Sequence, residues 1–522
     1  MAPDAKGPSR KANEKRADSL SQTDKYFQDN EPMAGLGRAS LHSGMIVVAG
    51  RLVSVGSQVV SMIVLARLLD PHDFGLTATI FALIGFGPML IDLGTSDATS
   101  QKTHISRAEV SYLFWLNATI AVVLALLLIA SGGFIAKFYN EPALSGIAAV
   151  SSLTFIAVGI STQHLALLRR AMQFRSLTIL DICSNGISSI LSIVMALTGW
   201  GYWALVAKPV AMAVLTVVVA WIACPWLPGR PQQTKETNAS VRFGLGVAGF
   251  TLTDTFAQSF DRLALGYFYG VGTLGYYQNA FLFYTNLINL LIGPLHNIAV
   301  SSLSKLRGNL VEFRKSWTAA LSTVSFLSTL AFAVLAVTGP DVVTILLGEK
   351  WAPAGPVLCL FAIRGIAQAT ERTLGWLHVS TGRSDRWMRW GLLSAVCQIA
   401  AVIIGLPFGL MGVAATSAIA IYILFIPALA YAGRPAGIGA KDVWAAVGPQ
   451  TVAGLIAVAV GLGVRETLLL DLSQWPRFLI ASSLSFTVYL VVAIVLFKVT
   501  QPMYLALSAL RNFGPKRLLG NS

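Results

Sequence analysis

The residues best placed to do chemistry in this sequence are charged side chains inside long apolar runs. A charged residue at the centre of an apolar membrane helix costs roughly 3 kcal/mol on insertion scales, so such residues usually face a polar cavity or pair with one another. Eleven positions have this character: Arg51, Asp92, Asp97, Asp181, Lys208, Asp254, Asp261, Arg262, Arg364, Glu371 and Arg372. A cation at such a position can hold an anionic ligand, and a carboxylate can hold a cation.

Depth in the apolar run separates these charges into two groups. Asp254, Arg262 and Arg364 lie deep within their runs, which favours the lining of a polar cavity. The off-centre charges Arg51, Asp97, Lys208 and Arg372 favour a structural role, either in ion pairs between helices or as side chains that reach the membrane interface. Because sequence neighbours do not face each other on a helix, Asp261 and Arg262 are expected to find partners on other helices, as are Glu371 and Arg372.

The predicted site therefore combines cations and carboxylates. The predicted substrate-binding cations are Arg51, Arg262, Arg364 and Arg372, and the predicted cavity or ion-coupling carboxylates are Asp92, Asp254, Asp261 and Glu371. The aromatic residues that cluster from Tyr267 to Tyr284 allow two interpretations. They form either an aromatic belt at the membrane interface, which fits Tyr267–Tyr277 well, or a platform on which sugar rings stack.

The sequence contains no convincing motif for catalysis or nucleotide binding. The two GxGxxG matches, at 244–249 and 270–275, lie where a membrane span begins and where two spans join, without the preceding strand that a dinucleotide site requires. The sequence has no GxxxxGK[ST] motif, which excludes an ATP-driven pump in this chain, and no HExxH or GxSxG motif. Its four cysteines are widely spaced, so neither a metal site nor a resident cofactor is predicted.

The elements that must position these charges are membrane-spanning helices. Of the 522 residues, 55% are hydrophobic and only 12% are charged, half the charged fraction of a soluble domain. A spanning helix needs about 20 apolar residues. Fourteen runs qualify, so an all-α polytopic membrane protein is predicted: 44–66, 76–100, 110–131, 144–168, 177–197, 202–223, 243–265, 276–299, 316–338, 355–379, 389–405, 410–431, 443–463 and 478–497.

The basic residues between these runs predict the orientation. If the N-terminus is cytoplasmic, seventeen loop Lys and Arg residues fall on the inner side and five on the outer side. Both termini are therefore expected in the cytoplasm of a bacterial inner membrane. The net charge of +14 then reflects membrane topology and attraction to anionic lipid, and nucleic acid is not an expected partner.

The order of the runs predicts the domain organisation. Two six-helix bundles, 41–225 and 243–432, are joined by a cytoplasmic linker over 226–242, and helices 13 and 14 follow over 433–500. Residues 1–40 and 501–522 are predicted to be cytoplasmic tails, the first of them disordered because it has few apolar residues.

A shift of about 200 residues relates the two bundles. It matches Gly75 to Gly275, and a Gly-Pro pair stands in the second helix of each half, at Gly87-Pro88 and Gly293-Pro294. An even number of helices separates the halves, so the repeats are predicted to be parallel around a central cavity. We expect the Gly-Pro pairs to kink their helices as hinges. Pro71 and Gly75 are expected to break the chain in an outer turn over 67–75, matched by a second outer turn over 266–275.

Several blocks of the sequence carry a family resemblance. They are "ARLLDPHDFG" (66–75), "DLGTSDATSQK" (92–102), "LFWLN" (113–117), "RRAMQF" (169–174), "LGYFYGVGTLGYYQNAFLF" (265–283) and "LLGEKWAPAGPVLCLF" (346–361). Over roughly 41–500 the chain resembles the polysaccharide-transporter family of flippases, of the Wzx and colanic-acid exporter type, within the MOP superfamily.

The resemblance implies a function for the predicted cavity. It implies that an undecaprenyl-diphosphate-linked oligosaccharide unit is flipped across the bacterial inner membrane by alternating access, for exopolysaccharide, capsule or O-antigen synthesis. The diphosphate would need cations such as Arg262 and Arg364, and the polyprenyl tail can stay in lipid. The implied partners are the lipid-linked oligosaccharide, the phospholipid membrane, and polymerase and chain-length proteins of the same pathway. Na⁺ or H⁺ is the candidate coupling ion.

Three other functions remain open at this stage. A multidrug-type cation antiporter of the same superfamily would use intramembrane carboxylates to bind its cargo. A polysaccharide polymerase or ligase, which is an enzyme, would need a large outer loop, whereas the longest outer loops here have about 15 residues. A scaffold without transport would leave the charges inside the spans without a role.

The orientation can be tested at the C-terminus. A reporter that is active only in the periplasm, fused after Ser522, is expected to stay silent because the C-terminal tail is predicted to be cytoplasmic. A strong signal would contradict both the orientation and the even number of spans.

Overall fold

The structure, a computed structural model, describes residues 26–27, 37–102, 104–232, 235–306, 309–381 and 384–499. Within these ranges all regular secondary structure is helical. The chain divides into two compact units, one formed by Met1–Leu68 and Ile80–Thr255 and the other by Leu69–Thr79 and Phe256–Ser522.

The helices of the N-terminal half are mostly long and apolar. They are α1 (Gly37–Leu68), α2 (Pro71–Ile84), α3 (Gly87–Asp92), α4 (Thr95–Gln101), α5 (Arg107–Phe138), α6 (Ala143–Ser151), α7 (Leu153–Arg170), α8 (Phe174–Leu197) and α9 (Tyr202–Ala223). The remaining helices are α10 (Lys235–Lys305), α11 (Leu310–Leu347), α12 (Ala354–Glu371), α13 (Leu374–Thr381), α14 (Ser384–Gly405), α15 (Gly409–Gly433), α16 (Ala440–Leu468) and α17 (Gln474–Leu490), followed by a π-helical turn at Val491–Leu496.

The apolar helices establish a multi-pass membrane protein. In the described part of the chain, nine helical segments are long and apolar enough to cross a membrane. The fourteen predicted spans fall mainly on helical residues, some with a short break inside them. The seventh and eighth lie on either side of Gly270 (φ 80°, ψ 161°), where the two helices that together make up α10 meet at a kink. The number fourteen and the repeat arrangement stay predictions.

In the first unit, α8 packs against α1 and α9, while α7 packs against α5 and α9. Small and polar residues line the contact between α1 and α8, where Asn185 Nδ2 donates to Ser54 Oγ at 2.8 Å. Such side chains let membrane helices approach closely and hydrogen-bond across their interface. A second buried network joins α4 to α7, because Thr99 Oγ1 donates to Gln163 Oε1 at 2.7 Å.

Two residues of the predicted disordered tail pack against the first unit. Tyr26 is fully buried, and its hydroxyl donates to the backbone oxygen of Ala223 at 2.9 Å. Burial raises the pKa of Tyr26 to about 12, so its hydroxyl remains a neutral donor. The Phe27 ring lies under the Arg107 guanidinium at 4.9 Å and beside Trp226. The structure thus differs from the predicted tail at these two residues, because their rings find an aromatic pocket that composition does not reveal.

In the second unit, α11 is the central helix and contacts α12, α16 and α17. The fully buried Asp341 of α11 binds two arginines: Arg465 Nε lies 3.2 Å from Asp341 Oδ2, and Arg477 Nε lies 2.7 Å from Asp341 Oδ1. A buried carboxylate needs this compensation. Asp341 therefore anchors α16 and α17, the predicted helices 13 and 14, to α11.

The turn predicted over 67–75 is shorter than expected. Only Leu69 and Asp70 interrupt the helices, and α2 begins at Pro71, whose fixed φ suits the first helical position. Gly75 lies inside α2 and does not end a helix, so the prediction of a break at Gly75 is wrong. In the second predicted outer turn, over 266–275, two helices do meet, but the break is confined to Gly270, so this turn is also shorter than expected.

Gly75 is required by a close helix crossing in the second unit. A Cβ at Gly75 would lie 1.6 Å from the backbone oxygen of Val271, and a Cβ at Gly275 would lie 1.8 Å from that of Pro71. The two contacts are related by the same shift of 200 residues that relates Gly75 to Gly275 in the sequence. Only glycine fits where two backbones approach this closely.

The two Gly-Pro pairs differ in the structure. Gly85 and Phe86 interrupt the helix just before Gly87-Pro88, where α3 begins. A Cβ at Gly87 would lie 1.9 Å from the Phe155 ring, so this glycine also permits tight packing. At Gly293-Pro294 the backbone of α10 stays helical, and the Pro294 side chain lies outside the described part of the structure.

The glycine crossing predicts a contrast within one turn of α10. Gly275→Ala should lower the midpoint of thermal unfolding or prevent accumulation in the membrane, since overpacking costs about 1–3 kcal/mol. Gly272→Ala is the matched control, because a Cβ at Gly272 meets no atom within 4 Å. Equal stability of the two variants in detergent would show that the crossing does not constrain position 275.

Candidate functional site

An aromatic cluster forms the centre of the candidate site in the second unit. It consists of Tyr277, Phe281 and Tyr284 of α10 together with Phe361 of α12. The spacing of four and three residues puts the α10 members on one helix face. Their rings surround Phe361 at centroid distances of 5.0, 5.8 and 5.3 Å, and the Tyr284 ring is stacked on it.

Arg262 lies at one edge of the aromatic cluster. Its guanidinium is 4.8 Å from the centre of the Phe281 ring and donates to Ser259 Oγ at 2.9 Å. Its Nε lies 3.7 Å from Asp261 Oδ1, so these sequence neighbours form a loose ion pair. Arg262 thus contacts Ser259 and Asp261 on its own side of Gly270, and Phe281 on the helical segment that follows Gly270.

Asp261 is held by neutral donors. Its Oδ2 accepts a hydrogen bond from the Tyr277 hydroxyl at 2.7 Å, and its Oδ1 accepts one from the backbone N–H of Arg262 at 2.7 Å. The residue is 5% exposed and Tyr277 is fully buried. Both carboxylate oxygens of Asp261 thus accept hydrogen bonds within the protein, and the bond from the Tyr277 hydroxyl holds that ring in place.

Arg364 lies at the other edge of the aromatic cluster, one turn after Phe361. Its Nε donates to Gln368 Oε1 at 2.7 Å, and its guanidinium is 5.9 Å from the centre of the Tyr284 ring. The Tyr284 hydroxyl donates to the same Gln368 oxygen. Within the ranges that the structure describes, no carboxylate oxygen lies within 4.0 Å of the Arg364 guanidinium. Its direct contacts in this part of the chain are thus a neutral amide and an aromatic ring, whereas Asp261 and Glu371 act on its charge only from beyond 4.0 Å.

The other predicted carboxylates and cations have different environments. Asp92 accepts hydrogen bonds from Thr95 Oγ1 and from the backbone and side chain of Ser96, at 3.0, 2.8 and 2.6 Å, so it caps the start of α4. Glu371 is half-buried at the end of α12, and Arg372 after it is exposed. The side chains of Arg51 and Asp254 lie outside the described part of the structure.

Sequence reasoning missed the neutral members of this site. Gln368 and Tyr277 carry no charge, and the assignment of Tyr277 to an interfacial belt is wrong because it is fully buried. Tyr267, Phe268 and Tyr269 do remain 39–64% exposed, as a belt requires. The spacing of Phe361, Arg364 and Gln368 on one helix face was the signal that could have found the glutamine.

Lys208 in the first unit received no functional role from the sequence. Its ammonium donates to Ser61 Oγ of α1 at 2.9 Å. Among the described side chains no carboxylate oxygen lies within 4.0 Å of it. Lys208 therefore resembles Arg364 in being an intramembrane cation with a neutral partner.

This helical architecture is shared with solved membrane transporters. The structure of the lipid II flippase MurJ in an inward closed conformation matches with a TM-score of 0.69 at 14% sequence identity, covering 87% of this chain and 99% of that one. An inward-facing multidrug resistance MATE family transporter of the MOP superfamily matches with a TM-score of 0.57 at 12% identity, covering 76% of this chain and 98% of that one. The chain thus shares its fold with these two structures.

Sequence comparison supplies the family. The model of the polysaccharide biosynthesis protein family matches residues 64–356, and the chain belongs to this family. Lipopolysaccharide biosynthesis protein WzxC of Escherichia coli (strain K12) is 23% identical over 364 residues, which cover 68% of this chain and 72% of that protein. Succinoglycan biosynthesis transport protein ExoT of Rhizobium meliloti (strain 1021) is 24% identical over 364 residues, covering 69% and 72%.

The bond between Tyr277 and Asp261 predicts a measurable loss of stability. Tyr277→Phe removes the hydroxyl that Asp261 Oδ2 accepts, and polar contacts between membrane helices contribute about 1 kcal/mol. We expect a lower midpoint of thermal unfolding in detergent. Tyr276→Phe is the control, because the structure shows no hydrogen bond to that hydroxyl among the described residues. An unchanged midpoint for Tyr277→Phe would mean that water or another group replaces the lost donor.

Proposed function

We propose that this protein flips undecaprenyl-diphosphate-linked oligosaccharide units across the bacterial inner membrane by alternating access. The family, the relatives named for polysaccharide biosynthesis and transport, and the MurJ-like fold all support a flippase of this kind. The observation that carries the proposal is Arg364, an intramembrane guanidinium beside the aromatic cluster whose described partners are neutral.

The chemistry of the cluster fits a diphosphate-linked sugar. Guanidinium groups donate in a planar fork that matches phosphate oxygens, and Arg364 has further N–H donors beyond the one bound to Gln368. Aromatic rings present apolar faces on which sugar rings stack. The polyprenyl tail would remain in lipid during the movement.

The alternative of a multidrug-type antiporter requires carboxylates that are free to bind a cationic cargo. The carboxylate oxygens of Asp261 and Asp92 instead accept hydrogen bonds from donors of the protein itself. Arg364 carries the opposite charge and has no carboxylate within 4.0 Å among the described residues, which supports an anionic cargo. The relative ExoT is named a transport protein, which supports a transporter that forms no bond over a polymerase or ligase.

Further parts of the proposal concern its setting. The protein would lie in the inner membrane with both termini in the cytoplasm, and would deliver its cargo to polymerase and chain-length proteins of the same pathway. No cofactor is needed for this movement, since Na⁺ or H⁺ gradients would drive it. The proposed ion-coupling carboxylates are Asp92, Asp254, Asp261 and Glu371, of which Asp92 and Asp261 also accept hydrogen bonds within the protein.

The role of Arg364 can be tested by substitution. Arg364→Ala should abolish export of the glycan while the protein still accumulates in the membrane, since a buried diphosphate without its cation is costly. Arg364→Lys should restore part of the export through retained charge. Glycan on the cell surface and protein in isolated membranes are measured together.

Arg389→Ala serves as the control, because Arg389 is exposed near the start of α14. It should export like the unmodified protein. Normal export by Arg364→Ala would make the arginine a purely structural residue and remove the observation that carries the proposal.

A further inference from the structure

A cleft of about 620 Å³ lies in the second unit where α11 and α16 begin. The first three turns of α11 supply one wall, including Leu310, Val311 and Thr318. The first turns of α16 supply the other, through Ala445 and Ala446. Alanine side chains leave the space between the two helices open, so the cleft results from small residues where larger ones would close it.

One edge of the cleft is positively charged. Arg314 lies on it and pairs with Asp442 of α16. Asp442 Oδ2 also accepts the backbone N–H of Gly439 at 2.8 Å, so this carboxylate is used both to cap α16 and to orient Arg314. Lys315, the next residue, is exposed, and no carboxylate within 4.0 Å of its ammonium occurs among the residues the structure describes. The edge therefore keeps a surplus positive charge.

The residues around the cleft are of the types found at the membrane interface, where lipid head groups meet the hydrocarbon. Trp444, next to the lining residue Ala445, is 53% exposed, and exposed tryptophans mark this interface in membrane proteins. Leu310 and Val311 are 56% and 79% exposed, so apolar surface continues outward from the cleft. Both helices begin after loops that the distribution of Lys and Arg predicts to be cytoplasmic.

We propose that this cleft binds an anionic phospholipid of the cytoplasmic leaflet. The phosphate lies against Lys315 and the free N–H groups of Arg314, and the upper acyl chains lie along Leu310 and Val311. Basic pockets between membrane helices on the cytoplasmic side bind anionic head groups in this way. The site is separate from Arg364 and the aromatic cluster, and it does not depend on the proposed cargo.

A phospholipid matches both the positive edge and the apolar walls of the cleft. A free phosphate ion would use the cations but leave the apolar walls in water. A neutral lipid would cover the walls but leave Lys315 without a counter-charge. A lipid with an anionic head group satisfies both, because its charge and its chains meet at the same depth as Lys315 and Leu310.

The experiment uses the purified full-length chain in a neutral detergent and measures the midpoint of thermal unfolding during titration with dioctanoyl phosphatidylglycerol. The lipid should raise the midpoint, whereas dioctanoyl phosphatidylcholine should not. Lys315→Gln should weaken the apparent affinity about fivefold, which corresponds to about 1 kcal/mol for one cation near a membrane surface. Lys441→Gln is the matched control, because Lys441 is exposed beside Asp442 and does not line the cleft.

A second variant tests the cleft by volume. Ala445 is exposed on the cleft wall, so a phenylalanine there should fill the cleft without overpacking the protein interior. Ala445→Phe should therefore reduce phosphatidylglycerol binding while the charges stay in place. Unchanged binding in both Lys315→Gln and Ala445→Phe would refute the site. Equal stabilisation by phosphatidylcholine would also refute it.

Two further titrations distinguish other occupants. If inorganic phosphate raises the midpoint as phosphatidylglycerol does, the edge is a simple anion site and the assignment to a lipid is wrong. If farnesyl diphosphate is strongly preferred and Lys315→Gln abolishes that preference, the cleft receives an isoprenoid diphosphate in place of a phospholipid. Normal glycan export by Arg364→Ala would overturn the proposed function but leave all of these lipid titrations unaffected, so the two proposals can fail independently.

Discussion

The constraint on which this structure depends is that a charge inside an apolar helix must be compensated by the protein itself. Three solutions occur in the second unit. Asp341 is neutralised by two arginines and joins helices, while Asp261 is satisfied by a tyrosine hydroxyl and a backbone N–H. Arg364 has only an amide oxygen and an aromatic ring among the described residues. The first two arrangements are complete without a ligand, whereas the third retains a charge that an anionic cargo can complete.

Close backbone contact is the second organising feature, because apolar side chains gain little by leaving lipid for one another. The crossing at Gly75 and Gly275 shows this directly. The Phe74 and Tyr276 rings beside it both contact Trp351, and Lys350 lies 3.2 Å from Asp70. Three sequence blocks that carry the family resemblance therefore meet at one end of the second unit. Their shared role is packing, which explains why they are recognisable although none holds a reactive group.

The two ligand sites proposed for the second unit both combine a cation with apolar side chains, but at different depths in the membrane. At the aromatic cluster, the cation is inside the span and its neighbours are rings and an amide. At the cleft, Lys315 lies where two helices begin, beside exposed apolar residues and Trp444. Depth thus decides the chemistry: a buried guanidinium suits a cargo that passes through the protein, and an interfacial ammonium suits a lipid that stays in its leaflet.

The class of protein, the helical runs and the family could be predicted from the amino-acid sequence, because hydropathy and spacing are local sums over neighbouring residues. The three-dimensional arrangement was needed to show that Gly75 permits a crossing, that Tyr277 holds Asp261, that Tyr26 packs into a pocket, and that Arg364 has no carboxylate within 4.0 Å in the described chain. These facts depend on how each helix is rotated about its axis and on pairs such as Tyr284 and Gln368, 84 residues apart. Hydrophobic periodicity does not fix that rotation when most faces of a membrane helix are apolar.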